Sequence, residues 1–136
     1  MAVPAGGRTA AQRSGDAAEA AAAGRLAAAG WKILGRQVRA GRAELDLVAI
    51  DPGPPPALVV VEVRWRGSRD FGLAEETVDR RKVARLRAGL ARLIAAGTLP
   101  GGGRLPRLPG RIDLVVAEPP VRPGDPDRFR HHRAVG

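Results

Sequence analysis

The sequence predicts an α/β domain, a small mixed sheet with flanking helices in the order α-β-β-β-α-β, and three observations carry that class. Apolar periodicity changes from helical to two immediately after Gly30, which separates an opening helix from strands. Residues 58–65, Leu58-Val59-Val60-Val61-Glu62-Val63-Arg64-Trp65, form a nearly continuous apolar run, as a strand covered on both faces does. A long stretch then places Val83, Leu86, Leu90 and Leu93 or Ile94 at helical core spacing.

The elements follow in order. Residues 1–13 are rich in Gly, Ala and Arg without periodicity and read as a disordered tail. Ser14 or Asp16 caps a helix running to about residue 29, where Gly30 supplies the left-handed stop. Its apolar face is thin, but Ala is the best helix former. Residues 31–38 read as the first strand, Gly41 as a turn, and 44–50 as the second strand. In that second strand Leu45, Leu47 and Ala49 alternate with Glu44, Asp46, Val48 and Ile50. The segment Asp51-Pro52-Gly53-Pro54-Pro55-Pro56 is a short connection, which makes strand three an antiparallel partner. A loop follows at 67–72, a helix at 75–96, a Gly/Pro-rich loop at 97–110, a fourth strand at 111–117 and a polar tail at 118–136. The folded domain is thus expected over 14–117.

Composition narrows the function classes. The absence of cysteine excludes disulfides and thiolate metal sites. No segment approaches the roughly 18 apolar residues of a membrane helix, and no secretory cleavage pattern is present, so a cytoplasmic protein is expected. Trp31, Trp65, Phe71 and Phe129 are too few for a base-stacking platform, and Trp65 reads as core. A net charge of +9 points to an anionic partner, nucleic acid being the commonest; a generally Arg-rich composition is the plainer account.

The chemistry centres on acids inside apolar strands. Glu62 and Arg64 share one face of strand three, and a buried carboxylate costs several kcal/mol without a partner. Asp46 stands in the neighbouring strand, with Glu44 on its face. Carboxylates converging on one patch repel unless a cation separates them, and an all-oxygen ligand set suits Mg²⁺ or Mn²⁺. The competing account pairs Glu62 with Arg64 or Arg111 and makes Asp46 a turn cap.

Several segments together closely resemble the YraN family of small bacterial proteins. They are Gly15-Asp16-Ala17-Ala18-Glu19, Arg42-Ala43-Glu44-Leu45-Asp46-Leu47-Val48, and Val60-Val61-Glu62-Val63-Arg64-Trp65-Arg66. Phe71-Gly72, Lys82, Arg111-Ile112-Asp113-Leu114-Val115 and the terminal Arg130-His131-His132 extend the resemblance. It implies a restriction-endonuclease-like core similar to that of archaeal Holliday-junction resolvases. It further implies that Glu19, Asp46, Glu62 and Arg64 stand at the catalytic positions of a nuclease site. Asp46, Glu62 and the Val63 carbonyl would hold Mg²⁺ or Mn²⁺ for phosphodiester hydrolysis. Glu19 would bind the ion directly or through water; otherwise it is an ordinary solvated helix residue. Related resolvases act as dimers, so a homodimer is expected.

One departure bears on turnover. Position 64 holds Arg where such nucleases usually hold Lys, and Arg, unlike Lys, stays charged. Arg66, Arg81, Lys82, Arg85 and Arg92 are the candidate phosphate contacts, against the alternative of a merely solvated helix face. DNA is favoured over RNA as partner. The alternatives to an endonuclease are a catalytically silent nucleic-acid-binding module, or a basic protein meeting ribosomal RNA or an acidic protein. His131 and His132 are expected in a mobile tail.

Overall fold

The computed structural model of the chain describes residues 9–67 and 78–135. Among the described residues seven elements follow one another: α1 (Ala10–Ala28), β1 (Lys32–Ala40), β2 (Ala43–Asp51), β3 (Ala57–Trp65), α2 (Arg80–Ala96), β4 (Gly110–Glu118) and β5 (Arg128–His132). One five-stranded sheet runs in the order β1-β2-β3-β4-β5. Among these strands β3 and β4 pair in parallel, and the other neighbours are antiparallel. Tight turns suffice for antiparallel neighbours, whereas a parallel pair needs a crossover, and α2 supplies it. The expected mixed α/β core in the order α-β-β-β-α-β is present with one strand added.

Each sheet face has its own core. Ala22 and Leu26 of α1 pack with Trp31, Leu47, Val59, Val61 and Val115. Leu86, Leu90 and Leu93 of α2 pack on the other face with Leu45, Val48, Leu58, Val60 and Ile112. Of the two residues offered for the last core position of α2, Leu93 is buried and Ile94 is exposed. The parallel strands are therefore covered on both sides, as the apolar run in β3 requires.

The ends of the elements differ from the sequence reading in three places. The disordered tail expected over residues 1–13 gives way to helix at Ala10, and residues 1–8 lie outside the described ones. Neither Ser14 nor Asp16 is the cap. Thr9 accepts a hydrogen bond from the Gln12 amide while Gln12 Oε1 accepts from the Thr9 amide, a reciprocal capping box. The second helix, expected from residue 75, begins at Arg80, with Asp79 accepting from the Lys82 amide at 3.0 Å. Residues 68–77, which include most of the expected loop and Phe71-Gly72, lie outside the described residues.

The third difference is β5, found inside the segment read as a polar tail. It pairs with β4 from Leu114↔His132 to Glu118↔Arg128. Phe129 packs on the α1-side core, and polar contacts from neighbouring residues add to it. His131 Nε2 lies 2.8 Å from Asp113 Oδ2, and the Ala134 amide donates to Asp113 Oδ1. Asp113 is fully buried, so its carboxylate must find partners; Arg111 supplies two more hydrogen bonds. The histidines thus belong to an ordered strand, not to a mobile tail.

Candidate active site

The sheet opens at Asp46. Pairing of β2 with β3 runs from Asp51↔Ala57 to Leu47↔Val61 and stops. One residue further, Asp46 Oδ2 accepts from the Val63 amide at 2.9 Å, so a side chain satisfies a backbone donor that the ladder no longer reaches. On the other side of β2, Gln37 adopts φ +51°, a region that side-chain-bearing residues seldom enter. Leu45 and Leu47, two residues apart, end in cores on opposite faces. Strict alternation therefore fails across Asp46. Glu44, expected beside it, instead points to solvent and meets Arg39 at 3.7 Å.

Glu62 enters the opening from β3. It is buried on the α2 side, and its Oε1 lies 3.3 Å from Arg64 Nη2 and 3.6 Å from Lys82 Nζ. Its other oxygen, Oε2, is buried without any hydrogen-bond partner, as is Arg64 Nε. Burial raises the Glu62 pKa, with Lys82 and Arg64 opposing. Asp46 is pushed up to about 6, first by burial and then by the Glu62 charge. Of the two arginines offered as partners for Glu62, Arg64 fills the role. Arg111 is taken by Asp51 and Asp113.

Glu19 reaches the same opening from α1. It is buried rather than solvated, accepts from Arg36 Nε at 3.2 Å, and makes a short contact with Gln37 Nε2. Burial raises its pKa, and the Asp46 charge adds to the effect. The three acids thus feel one another, yet each leans on different partners. Among the described residues, no group of three or more His, Cys, Asp or Glu side chains is drawn together as a metal-holding cluster.

The residues nevertheless fit a hard divalent cation. A buried carboxylate oxygen with no partner is costly, and Glu62 Oε2 is one. Asp46 is the acid whose charge opposes that of Glu62. Mg²⁺ usually takes one or two carboxylates and keeps several waters, so two acids suffice. The contact that Val63 makes with Asp46 is through its amide.

The remaining candidates divide. Arg81, Arg85 and Arg92 lie exposed on α2, whereas Lys82 is half-buried and turned toward Glu62. Arg66 stands apart: its Nη1 meets Glu118 Oε2 at 3.1 Å, a carboxylate that also engages Arg128 and Arg130. The place of Lys82 at the site was not legible beforehand. The available signal was that Lys32 and Lys82 are the only lysines in an otherwise Arg-based chain.

The model of the uncharacterised protein family UPF0102 matches residues 18–117. The chain belongs to UPF0102. Among its relatives, a UPF0102 protein of Symbiobacterium thermophilum is 43% identical over 108 residues, covering 79% of this chain and 84% of that one. One from Roseiflexus castenholzii is 41% identical over 104 residues, 76% and 77% of the two chains. One from Xanthomonas euvesicatoria is 42% identical over 121 residues, 88% and 93%. The UPF0102 match contains Glu19, Asp46, Glu62, Arg64 and Lys82 and ends before β5. No helix among the described residues is long and apolar enough to cross a membrane.

Proposed function

We propose that this UPF0102 chain is a metal-dependent endonuclease-type domain that hydrolyses phosphodiester bonds in DNA. The observation that carries the reading is the Asp46–Glu62 pair at the point where β2 and β3 part. One of its oxygens is buried and unpartnered, and two cations stand beside it. Asp46 and Glu62 would hold the ion, with the Val63 carbonyl as a further ligand and Glu19 behind Asp46. Bound there, Mg²⁺ or Mn²⁺ would acidify a water and offset charge growing on the phosphate.

The chain's own groups do the rest. Arg64, always charged, clamps a non-bridging phosphate oxygen and stabilises the charge that develops there. Lys82 adds a compact second charge from α2, in a site whose adjacent strand carries Arg in place of Lys. The Val63 amide orients Asp46. The exposed arginines of α2 hold the backbone outside the site, and a second copy would supply the second cut on a symmetric junction.

A cleavage assay with Mg²⁺ or Mn²⁺ on duplex, single-stranded, flap and four-way DNA tests this. Metal-dependent nicking of at least one form is expected, and its loss in Asp46→Asn and Glu62→Gln. A wild-type chain that shows neither cleavage nor a metal-dependent rise in melting temperature would sink it. Arg64 favours a second reading, a nucleic-acid-binding module without turnover; DNA binding with no cleavage under any metal would establish that one.

A further inference from the structure

A cleft of about 260 Å³ lies between the β1–β2 turn and α2, away from the Asp46–Glu62 opening. Three guanidinium side chains line it: Arg42 from the turn, and Arg85 and Arg92 from α2. No carboxylate does. Among the described residues none of the three is ion-paired, and the adjacent acid, Glu44, is already engaged by Arg39 at 3.7 Å.

The cleft is shaped by how closely the helix meets the hairpin. A Cβ on Gly89 would come within 3.1 Å of both the Ala43 Cβ and Leu45 Cδ2, so glycine lets α2 seat this deeply without displacing either neighbour. Ala88 and Ala43 keep the floor small. Arg92 lies across Gly41, where an added Cβ would meet its Nε at 2.5 Å. The turn and the helix thus hold three cations around one depression. Like charges so placed repel, and a phosphate oxyanion relieves the repulsion while accepting forked guanidinium hydrogen bonds.

We propose that this cleft is a phosphodiester-binding subsite that holds the DNA backbone beside the cleavage site. The inference rests on the proposed function and adds Arg42, which stands in a segment that carries the family resemblance but is not among the candidate phosphate contacts. Lys82, at the cleavage site, lies on the same helix. At about 1.5 Å per residue the midpoint between Arg85 and Arg92 stands roughly 10 Å along α2 from it. Measured along a duplex axis at about 3.4 Å per nucleotide, that is on the order of three nucleotides.

The test uses the full chain, fluorescence anisotropy and labelled duplex DNA over a range of salt. The double variant Arg42→Ala/Arg92→Ala should bind at least about 10-fold more weakly, with a salt slope shallower by about one unit. Ala88→Glu, on an exposed helix position, places a carboxylate in the cleft and should do the same while melting like wild type. Arg122→Ala, an exposed arginine elsewhere, should change nothing. If wild type binds DNA and both cleft variants bind equally well, the subsite is overturned while the proposed function stands. A wild type that binds no DNA brings down both. Calorimetry with inorganic phosphate separates the ligand's source. Saturable phosphate binding that the double variant loses, with DNA affinity unchanged, would make this a free-phosphate site and overturn the proposal.

Discussion

Asp46 is a charge that its surroundings resist. It titrates near 6 in the fold against 3.8 ordinarily. The folded state therefore holds its proton more tightly than the unfolded chain does, and stability falls as pH rises through that window. Asp113 has the opposite sign. Burial pushes it up, but His131, Arg111 and the Ala134 amide together hold it down to about 2. Its contribution is present above about pH 4 and is lost as pH falls toward 2. The metal-free protein should thus melt highest between about pH 4 and 5 and lose stability toward neutrality. Asp46→Asn keeps an acceptor for the Val63 amide and removes the charge. It should flatten the neutral limb, raising stability at pH 7 by on the order of 1–3 kcal/mol, and abolish the Mn²⁺-dependent rise in melting temperature. A variant that melts below wild type at pH 7 would show that the Asp46 charge is not held against burial and the Glu62 charge. The cations separate by cleavage rate. Arg64→Lys should retain activity, because either side chain places a charge beside Glu62. Lys82→Ala should lose at least about tenfold through one fewer charge at the phosphate. Loss of activity in Arg64→Lys would instead assign a forked phosphate clamp that lysine cannot reproduce.

At the level of elements, the strands were legible because their patterns came from burial. The apolar run of β3 announced a strand covered on both faces, and α1 and α2 cover it. The acids were legible for the same reason, since Glu62 and Asp46 interrupt apolar strands. What burial did not write was missed. The thin face of α1 begins with a Thr9–Gln12 capping box, a four-residue signal overshadowed by Ser14 and Asp16. β5 is held by one apolar residue, Phe129, and by polar contacts of His131 and Arg130 with Asp113 and Glu118, so period-two hydrophobicity could not find it. The failed alternation at Asp46 arises in the backbone, where Gln37 turns left-handed and the strands part. Both missed features can be weighed by urea denaturation. Thr9→Ala should cost about 1 kcal/mol, the usual value of a cap. His131→Ala leaves the buried Asp113 short of one partner and should cost about 1–3 kcal/mol. No change in the second would mean that β5 is held by its backbone ladder alone.

Over the whole molecule, the arrangement of charge matters more than its sum. The chain carries +9, yet many of its cations are spent internally. Arg111 and Arg133 serve Asp51, Arg66 and Arg128 serve Glu118, and Arg36 serves Glu19. Those pairs fasten α1 and the edge strand β5 to the sheet and offer little to a ligand. Among the exposed cations, Arg42, Arg81, Arg85 and Arg92 lie on α2 and the adjoining turn, and α2 is the helix from which Lys82 reaches Glu62. If that face is where DNA lies, affinity should fall steeply with salt, because each neutralised phosphate releases counterions at about 0.9 log unit per contact. One phosphate at Arg81, one shared by Arg42, Arg85 and Arg92, and one beside Arg64 and Lys82 make a slope of about −2 to −3 the expectation for duplex DNA. Replacing Arg81, Arg85 and Arg92 with Ala should lower affinity alike for unrelated sequences, since phosphate contacts carry no sequence information. The same replacement at Arg66 and Arg128, whose charges are already answered by Glu118, should leave the slope unchanged. Equal losses in the two sets would mean that DNA responds to net charge alone, and that the α2 face is ordinary solvated surface.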